Sequence, residues 1–152
     1  MLLTQILRPA CVKVPLEAKD KESAIIELLD LLDSNGQLKD RQAILDAVMT
    51  REKTRSTGIG SGIAIPHGKC KAVSELVMTM GIVPEGMDFE SVDGNPVKII
   101  ILLVSPLDQT GPHIQALASI SRLMLDDEFK SKLEQASSAD EVYNLLQTKE
   151  SK

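Results

Sequence analysis

The chain has 152 residues, a length typical of one folded domain, and its 17 basic and 22 acidic residues give a net charge of −5. This acidic balance argues against binding to nucleic acid or to an anionic membrane surface, because both rely on clustered positive charge. Aromatic residues make up only 2% of the chain, which also argues against stacking on bases or sugars as a means of recognition.

The apolar runs and the cysteines indicate a cytoplasmic protein without direct membrane insertion. The longest apolar run, Ile99 to Val104, is far shorter than the roughly 18 residues of a membrane span. The N-terminal residues do not form a charged segment followed by a long apolar one, as a signal peptide would. Cys11 and Cys70 are too few for a disulfide framework, so we expect reduced thiols.

Two helices are predicted in the first third of the chain. Residues 21–34 carry apolar side chains at i, i+3, i+4 and i+7 spacing, which predicts an amphipathic helix that ends at Asn35-Gly36: Ile25, Leu28, Leu29 and Leu32. Asp40 is expected to cap a second helix that runs to about Glu52.

The middle of the chain predicts strands. Residues 54–62 are small, polar and glycine-rich, so no regular element is expected there. The predicted strands are then Ile63–Ile65, Leu76–Val83, and a hairpin that pairs Phe89–Val92 with Val97–Val104. The run 99–104 has no polar alternation, which indicates a central strand covered on both faces.

The last third predicts three helices and completes the fold prediction. Thr110 is expected to cap the first of them, Asp126-Asp127 to start a shorter one, and Ser138 to cap the last. The expected inner face of the first consists of Ile114, Leu117, Ala118, Ser121 and Leu125. The predicted fold class is α/β, a mixed β-sheet flanked by helices on both faces, in a single domain.

His67 is the strongest candidate for chemistry. It lies between Pro66 and Gly68 at the end of a predicted strand, where the proline sets the direction of approach and the glycine removes side-chain bulk. The preceding loop, 56–62, offers hydroxyls and backbone N–H groups that can hold anionic oxygens. That loop lacks the Walker and dinucleotide-binding patterns. The alternative interpretation of His67 is a surface histidine in a turn.

Two further residues are candidates for binding an anion. His113 lies in the first turn of a predicted helix, where a neutral imidazole can donate one N–H to an oxygen. Arg51 ends the second helix directly before the loop, and a guanidinium can contact a phosphate with a planar set of donors. Each residue also has a purely structural interpretation: His113 as a histidine without a function in the first turn of a helix, and Arg51 as a solvated arginine at a helix end.

A metal site is not predicted. His67 and Cys70 supply two zinc ligands, whereas a structural zinc site needs four and a catalytic site needs three. His113 would have to be the third ligand, and no carboxylate motif accompanies it. A nucleophilic pair of Cys70 and His67 lacks any recognisable surrounding signature.

The segment Gly62–Gly68 (GIAIPHG), preceded by Arg51-Glu52 and the Ser/Thr/Gly loop, resembles a known active-site signature. It is similar to that of the type-2 IIA components of the bacterial phosphoenolpyruvate:sugar phosphotransferase system, the fructose, mannitol and nitrogen-regulatory class. The resemblance extends to Asp108-Gln109-Thr110 with His113, so residues 1–152 are identified as one domain of this family. The nitrogen-regulatory branch is the most similar, and we expect a domain that stands alone.

This resemblance implies a site, a reaction and partners. It implies that His67 is the catalytic residue, accepting a phosphoryl group at Nε2 from an HPr-like phosphocarrier. It implies that Arg51 and His113 stabilise the phosphoryl oxygens, with loop N–H groups as a third source. No metal or organic cofactor is required, because donor and acceptor are both histidines. A docking surface for the carrier is expected around Ile59 and Ile63.

Three functions are compatible with the resemblance. The first is a regulatory, nitrogen-type signalling protein whose phosphorylation controls binding to target proteins. The alternative is the IIA subunit of a fructose- or mannitol-type sugar transporter, which passes phosphate to a IIB partner. The third is a binding module of the same fold that no longer transfers a phosphoryl group.

Overall fold

Six strands form one mixed sheet in the computed structural model, which describes residues 2–151. The strands are β1 (Leu7–Lys13), β2 (Gly58–Gly60), β3 (Ile63–Ala64), β4 (His67–Lys69), β5 (Val77–Met87) and β6 (Val97–Ser105). Their order is β1-β5-β6-β3-β2, and β4 also pairs with β6. The β5–β6 and β2–β3 pairs are antiparallel, while β1 runs parallel to β5 and both β3 and β4 run parallel to β6. The predicted mixed sheet is therefore confirmed.

Within the described residues 2–151, five α-helices pack around this sheet. They are α1 (Lys21–Ser34), α2 (Arg41–Thr54), α3 (Thr110–Leu123), α4 (Asp127–Glu134) and α5 (Ala139–Glu150), and a 3₁₀ turn covers Leu3–Gln5. The bounds of α1 and the caps Asp40 and Ser138 are as predicted, and α4 begins at Asp126-Asp127 as expected, with Asp126 as its cap. Each of these three caps accepts a hydrogen bond from a backbone N–H of its helix. None of the helices among residues 2–151 combines the length and apolar character needed to span a membrane.

Strand β6 is a central strand of the sheet, between β5 and β3, and its side chains form part of the hydrophobic core. Its side chains from Ile99 to Ser105 are all buried, so both faces of the sheet are covered as the uninterrupted apolar run predicts. The single-domain α/β prediction is therefore confirmed.

The predicted hairpin is wrong in its first strand. Strand β5 continues through Pro84 to Met87, which pairs with Val97 across an irregular stretch of the ladder. A proline is tolerated at such an irregularity because the missing N–H is not needed there. Residues 89–92 are not a strand, since Glu90 has a φ of +55° and its N–H is bound by the Asp88 carboxylate at 2.9 Å.

Strands β1, β2 and β4 were not predicted from the sequence. Pro9 lies within β1, which is possible because β1 is an edge strand and one of its sides makes no ladder hydrogen bonds. Strand β2 lies inside the glycine-rich segment predicted to be irregular, and it pairs with β3 through Gly58 and Gly60.

Helix α3 presents a different face to the core from the one predicted. Its buried residues are His113, Ala116 and Ile120, whereas Ile114 is 59% exposed. Thr110 is the first helical residue instead of the cap, and the capping position is held by Gln109 without a side-chain hydrogen bond. The first buried residue of α3 is therefore the polar His113. A search for apolar residues at helical spacing does not identify a buried face that begins with a histidine.

Candidate active site

The ring of His67 is held by a hydrogen bond from its Nδ1 to the Ile65 carbonyl oxygen, at 2.7 Å. A carbonyl only accepts, so Nδ1 carries the proton and donates it. The other ring nitrogen, Nε2, is then left with a free lone pair. Burial lowers the pKa of His67 below its ordinary value, and the nearby Arg51 and Lys69 charges lower it further against the effect of the Ile65 hydrogen bond. His67 is therefore a neutral imidazole at neutral pH.

Gly68 explains why the histidine can sit against helix α2. A Cβ atom at this position would lie 3.3 Å from the backbone nitrogen of Val48 and 3.4 Å from the backbone carbon of Ala47. Glycine thus allows β4 to pack directly on the backbone of α2, which carries Arg51 at its C-terminal end. The sequence predicts the imidazole just after the end of a strand. In the structure β3 ends at Ala64, and His67 is the first residue of the short strand β4.

His113 lies beside His67 and is more deeply buried. The two ring centroids are 5.4 Å apart with the planes tilted by 55°, and His113 is only 4% exposed. Its Nδ1 is 2.6 Å from the hydroxyl oxygen of Ser105, the last residue of β6. Burial, together with the positive charges of protonated His67 and Lys69, lowers the pKa of His113 to about 4. The structure brings the two predicted histidines together.

Next to His67 is an open cleft of about 370 Å³ whose charged lining residues are both arginines. Arg51, the predicted residue, and Arg55, which the sequence analysis missed, line it together with His67. The Arg51 guanidinium is held by a hydrogen bond from Nη1 to the Arg55 carbonyl oxygen at 2.8 Å. In a chain of net charge −5, a cleft lined by two guanidinium groups favours an anion.

The loop N–H groups are less available than the sequence implied. The N–H of Thr57 donates to Glu52 at 2.9 Å, that of Gly58 to Ser56 Oγ at 3.0 Å, and that of Ser61 to the Asp93 carboxylate at 3.0 Å. These three donors are occupied within the protein. The expectation that they bind phosphoryl oxygens is therefore wrong for these three positions. The donors that remain for an anion in the cleft include the side chains of Arg51 and Arg55.

Glu52, which the sequence analysis did not assign, anchors this loop to the domain. Its carboxylate is buried and accepts hydrogen bonds from both the N–H and the hydroxyl of Thr57, while Lys21 Nζ lies 2.7 Å away. The carbonyl of Thr57 in turn accepts the N–H of Ile65 at 3.0 Å. Glu52 is thus connected, through Thr57 and Ile65, to the carbonyl that orients His67.

Apolar residues surround the mouth of the cleft. Ile59 is 48% exposed and Val92 is 60% exposed, and both line the cleft. Ile63, by contrast, is 2% exposed because its side chain belongs to the core. Ile59 therefore fits the expected docking surface, and Ile63 does not. Among residues 2–151, no group of three or more His, Cys, Asp or Glu side chains is placed to hold a metal ion.

Comparison with known proteins identifies the family to which this site belongs. The family model described as "Phosphoenolpyruvate-dependent sugar phosphotransferase system, EIIA 2" matches residues 5–149. The chain belongs to this family. As a type-2 IIA domain it is a phosphotransferase component.

Both sugar-specific components and nitrogen regulatory proteins are similar to this chain. It is 36% identical over 96% of its length to the PTS system fructose-specific EIIABC component of Bacillus subtilis, of which it spans 23%. It is 32% identical over 96% of its length to the nitrogen regulatory protein of Bradyrhizobium diazoefficiens, of which it spans 95%. The crystal structure of the nitrogen regulatory protein IIA-Ntr from Neisseria meningitidis superposes with a TM-score of 0.86 at 29% identity, covering 95% of this chain and 98% of that one.

Proposed function

We propose that this chain accepts a phosphoryl group on Nε2 of His67 from an HPr-like phosphocarrier and acts as a regulatory, nitrogen-type signalling protein. The observation that carries the proposal is the hydrogen bond from Nδ1 to the Ile65 carbonyl, because it leaves the Nε2 lone pair as the nucleophile. The family supplies the class of reaction. We place the exchange in the cytoplasm, in keeping with two free cysteines.

The transfer is a balanced exchange between two imidazoles. The Nε2 lone pair of His67 forms the new N–P bond while the N–P bond of the carrier breaks, and the electron pair of the broken bond returns to the carrier's ring nitrogen. The proton on Nδ1 of His67 stays in place, where the Ile65 carbonyl stabilises the positive charge that develops on the ring. Such a transfer depends on positioning and charge stabilisation more than on proton movement.

The residues proposed to stabilise the phosphoryl oxygens are Arg51 and His113. Arg51 lines the cleft next to His67 and lowers the pKa of that histidine through its charge. His113, neutral and 5.4 Å from His67 between ring centroids, supplies one N–H. Each would interact more strongly with the phosphoryl oxygens in the transition state, where the charge spreads over them, than in the ground state before transfer.

The test of the proposal is phosphoryl transfer from phosphoenolpyruvate through enzyme I and its phosphocarrier, followed by intact mass. We expect a gain of one phosphoryl group that is lost in mild acid, since N–P bonds on histidine are acid-labile. An acid-stable gain would place the phosphoryl group on a hydroxyl and contradict the proposal. The absence of any gain with the cognate carrier would favour the non-transferring binding module.

A second function, the IIA subunit of a fructose-type transporter that hands phosphate to a IIB partner, is favoured by the 36% identity to the fructose-specific protein of Bacillus subtilis. The two functions differ in where the phosphoryl group goes. Mixing the phosphorylated chain with a purified fructose-type IIB domain separates them. Rapid loss of the label to IIB supports transport, whereas retention of the label supports regulation of target proteins.

Replacing Arg51 with alanine should slow transfer from the carrier by about 100- to 1,000-fold, as for loss of one preorganised donor to a developing anion. Lys53, on the same last turn of α2 but exposed, is the matched control. Lys53→Ala should transfer at nearly the wild-type rate in the same stopped-flow assay. If Arg51→Ala transfers within twofold of Lys53→Ala, Arg51 does not stabilise the phosphoryl group.

A further inference from the structure

Ser105 is a buried hydroxyl in contact with the site. It ends strand β6, its side chain has no exposed surface, and its Oγ lies 2.6 Å from Nδ1 of His113. Its backbone carbonyl is already used, since it accepts the N–H of Cys70 at 2.9 Å. Within residues 2–151, Nδ1 of His113 is the partner of this hydroxyl.

The direction of this hydrogen bond follows from the surroundings of Ser105. If Nδ1 of His113 donated to the hydroxyl, the serine O–H would point into the core without an acceptor, at a free-energy cost of about 1–3 kcal/mol. The serine therefore donates, and Nδ1 accepts. Because the pKa of His113 is lowered to about 4, its ring is neutral and carries a single proton. That proton is then on Nε2.

The Nε2 atom of His113 is not fully enclosed by the protein. The fully buried side-chain atoms without a partner among residues 2–151 are Thr79 Oγ1 and Ser91 Oγ. Nε2 of His113 also has no hydrogen-bond partner among residues 2–151, yet it is not among these fully buried atoms. This nitrogen therefore keeps some exposed surface. The adjoining ring is that of His67, at a centroid distance of 5.4 Å.

We propose that Ser105 is a positioning residue that holds His113 in its Nε2–H tautomer, so that His113 donates to the phosphoryl group on His67. This inference rests on the proposed function. The two histidines then carry opposite tautomers, each fixed by one neighbour at Nδ1: the Ile65 carbonyl accepts from His67, and the Ser105 hydroxyl donates to His113. His67 thereby presents a lone pair and His113 presents a proton. In its other tautomer His113 would direct a lone pair at the phosphoryl oxygens and repel them.

The test is the ¹⁵N spectrum of the two imidazoles in the unphosphorylated protein, measured by two-bond ¹H–¹⁵N correlation at neutral pH. We expect a pyrrole-like Nε2 and a pyridine-like Nδ1 for His113, and the reverse for His67. Ser105→Ala should shift His113 toward a mixture of tautomers, and Ser105→Thr, which keeps the hydroxyl, should restore the wild-type pattern. Thr79→Val is the matched control, because it also deletes a fully buried hydroxyl, one without a hydrogen-bond partner among residues 2–151. It should leave both spectra unchanged.

The kinetic expectation is that Ser105→Ala lowers kcat for transfer about tenfold, the upper end of the effect of one neutral hydrogen bond, while KM for the carrier stays the same. A pyridine-like Nε2 of His113 in the wild-type protein overturns the proposal, whether or not the Ser105 variants fold. An unchanged His113 tautomer in folded Ser105→Ala overturns it as well. A chain that shows the expected tautomers and fails to accept a phosphoryl group refutes the proposed function and leaves the tautomer assignment intact.

Discussion

Replacing His67 with glutamine should abolish phosphoryl labelling, whereas replacing His113 with glutamine should slow labelling about 100-fold and still allow one phosphoryl group per chain. The reason is that the two rings present different groups. His67 donates through Nδ1 to the Ile65 carbonyl, and in the proposed function its Nε2 lone pair is the nucleophile. His113 has its Nδ1 bound to Ser105, and we propose that it supplies only an N–H to the phosphoryl oxygens. Removing the nucleophile ends the reaction, and removing one donor only raises its barrier.

The measurement is a time course of intact mass for the two variants with the same phosphorylated carrier. Both glutamine variants keep a polar side chain of moderate size, and circular dichroism with a denaturant titration establishes that each is folded. Labelling of His67→Gln to one phosphoryl group would move the acceptor elsewhere. A folded His113→Gln that takes up no label even after long incubation would contradict the role of His113 as one donor that only lowers the barrier.

The location of His67 was predictable because it depends on local chemistry. Pro66 and Gly68 flank it in sequence, and Gly68 acts in the structure as its lack of a side chain suggests, because it allows contact with the backbone of Val48. Helix α1 was predictable for the same reason, since its cap and its apolar spacing are read within one segment. What is determined by a few neighbouring residues is accessible from the sequence alone.

The partners of the site were not predictable, because they come from distant segments. Ser105 ends a strand and precedes Pro106, a context in which a serine is an ordinary turn residue, and its role arises only when α3 packs His113 against it. The inward face of α3 was missed because its first buried residue is that histidine. A polar residue on an apolar face is detected only when its hydrogen-bond partner is known.

The structure of residues 56–62 differs from the one that their glycine-rich, polar composition suggested. No regular element was expected there, and their N–H groups and hydroxyls were considered able to hold anionic oxygens. In the structure three of the N–H groups bind Glu52, Ser56 and Asp93, and the segment contributes an edge strand. Glycine is needed at position 58 because an added Cβ would collide with Ser91. The small side chains serve close packing, and the positive charge of the cleft comes from Arg51 and Arg55.

Replacing Glu52 with alanine should lower the free energy of unfolding by about 3–5 kcal/mol, the range found when one member of a buried ion pair is removed. The change leaves the Lys21 ammonium and two Thr57 donors without their acceptor in a largely buried place. The measurement is the midpoint of a urea titration at constant m value. Asp46→Ala is the control, because Asp46 is an exposed acidic residue of the same helix and its loss should change stability by about 0.5 kcal/mol or less.

The same variant tests whether the Glu52 contacts also order the site. Since Glu52 holds Thr57 and the Thr57 carbonyl accepts the N–H of Ile65, the loss of the carboxylate should speed hydrogen exchange at the Thr57 and Ile65 amides more than the global change in stability requires. Lys21→Met keeps both bonds from Thr57 and removes only the ammonium, so its amide exchange should follow global stability. Equal protection of the two amides in Glu52→Ala and Lys21→Met, after correction for stability, would confine Glu52 to a role in folding. A selective loss in Glu52→Ala would connect the buried carboxylate, through Thr57 and Ile65, to the carbonyl that orients His67.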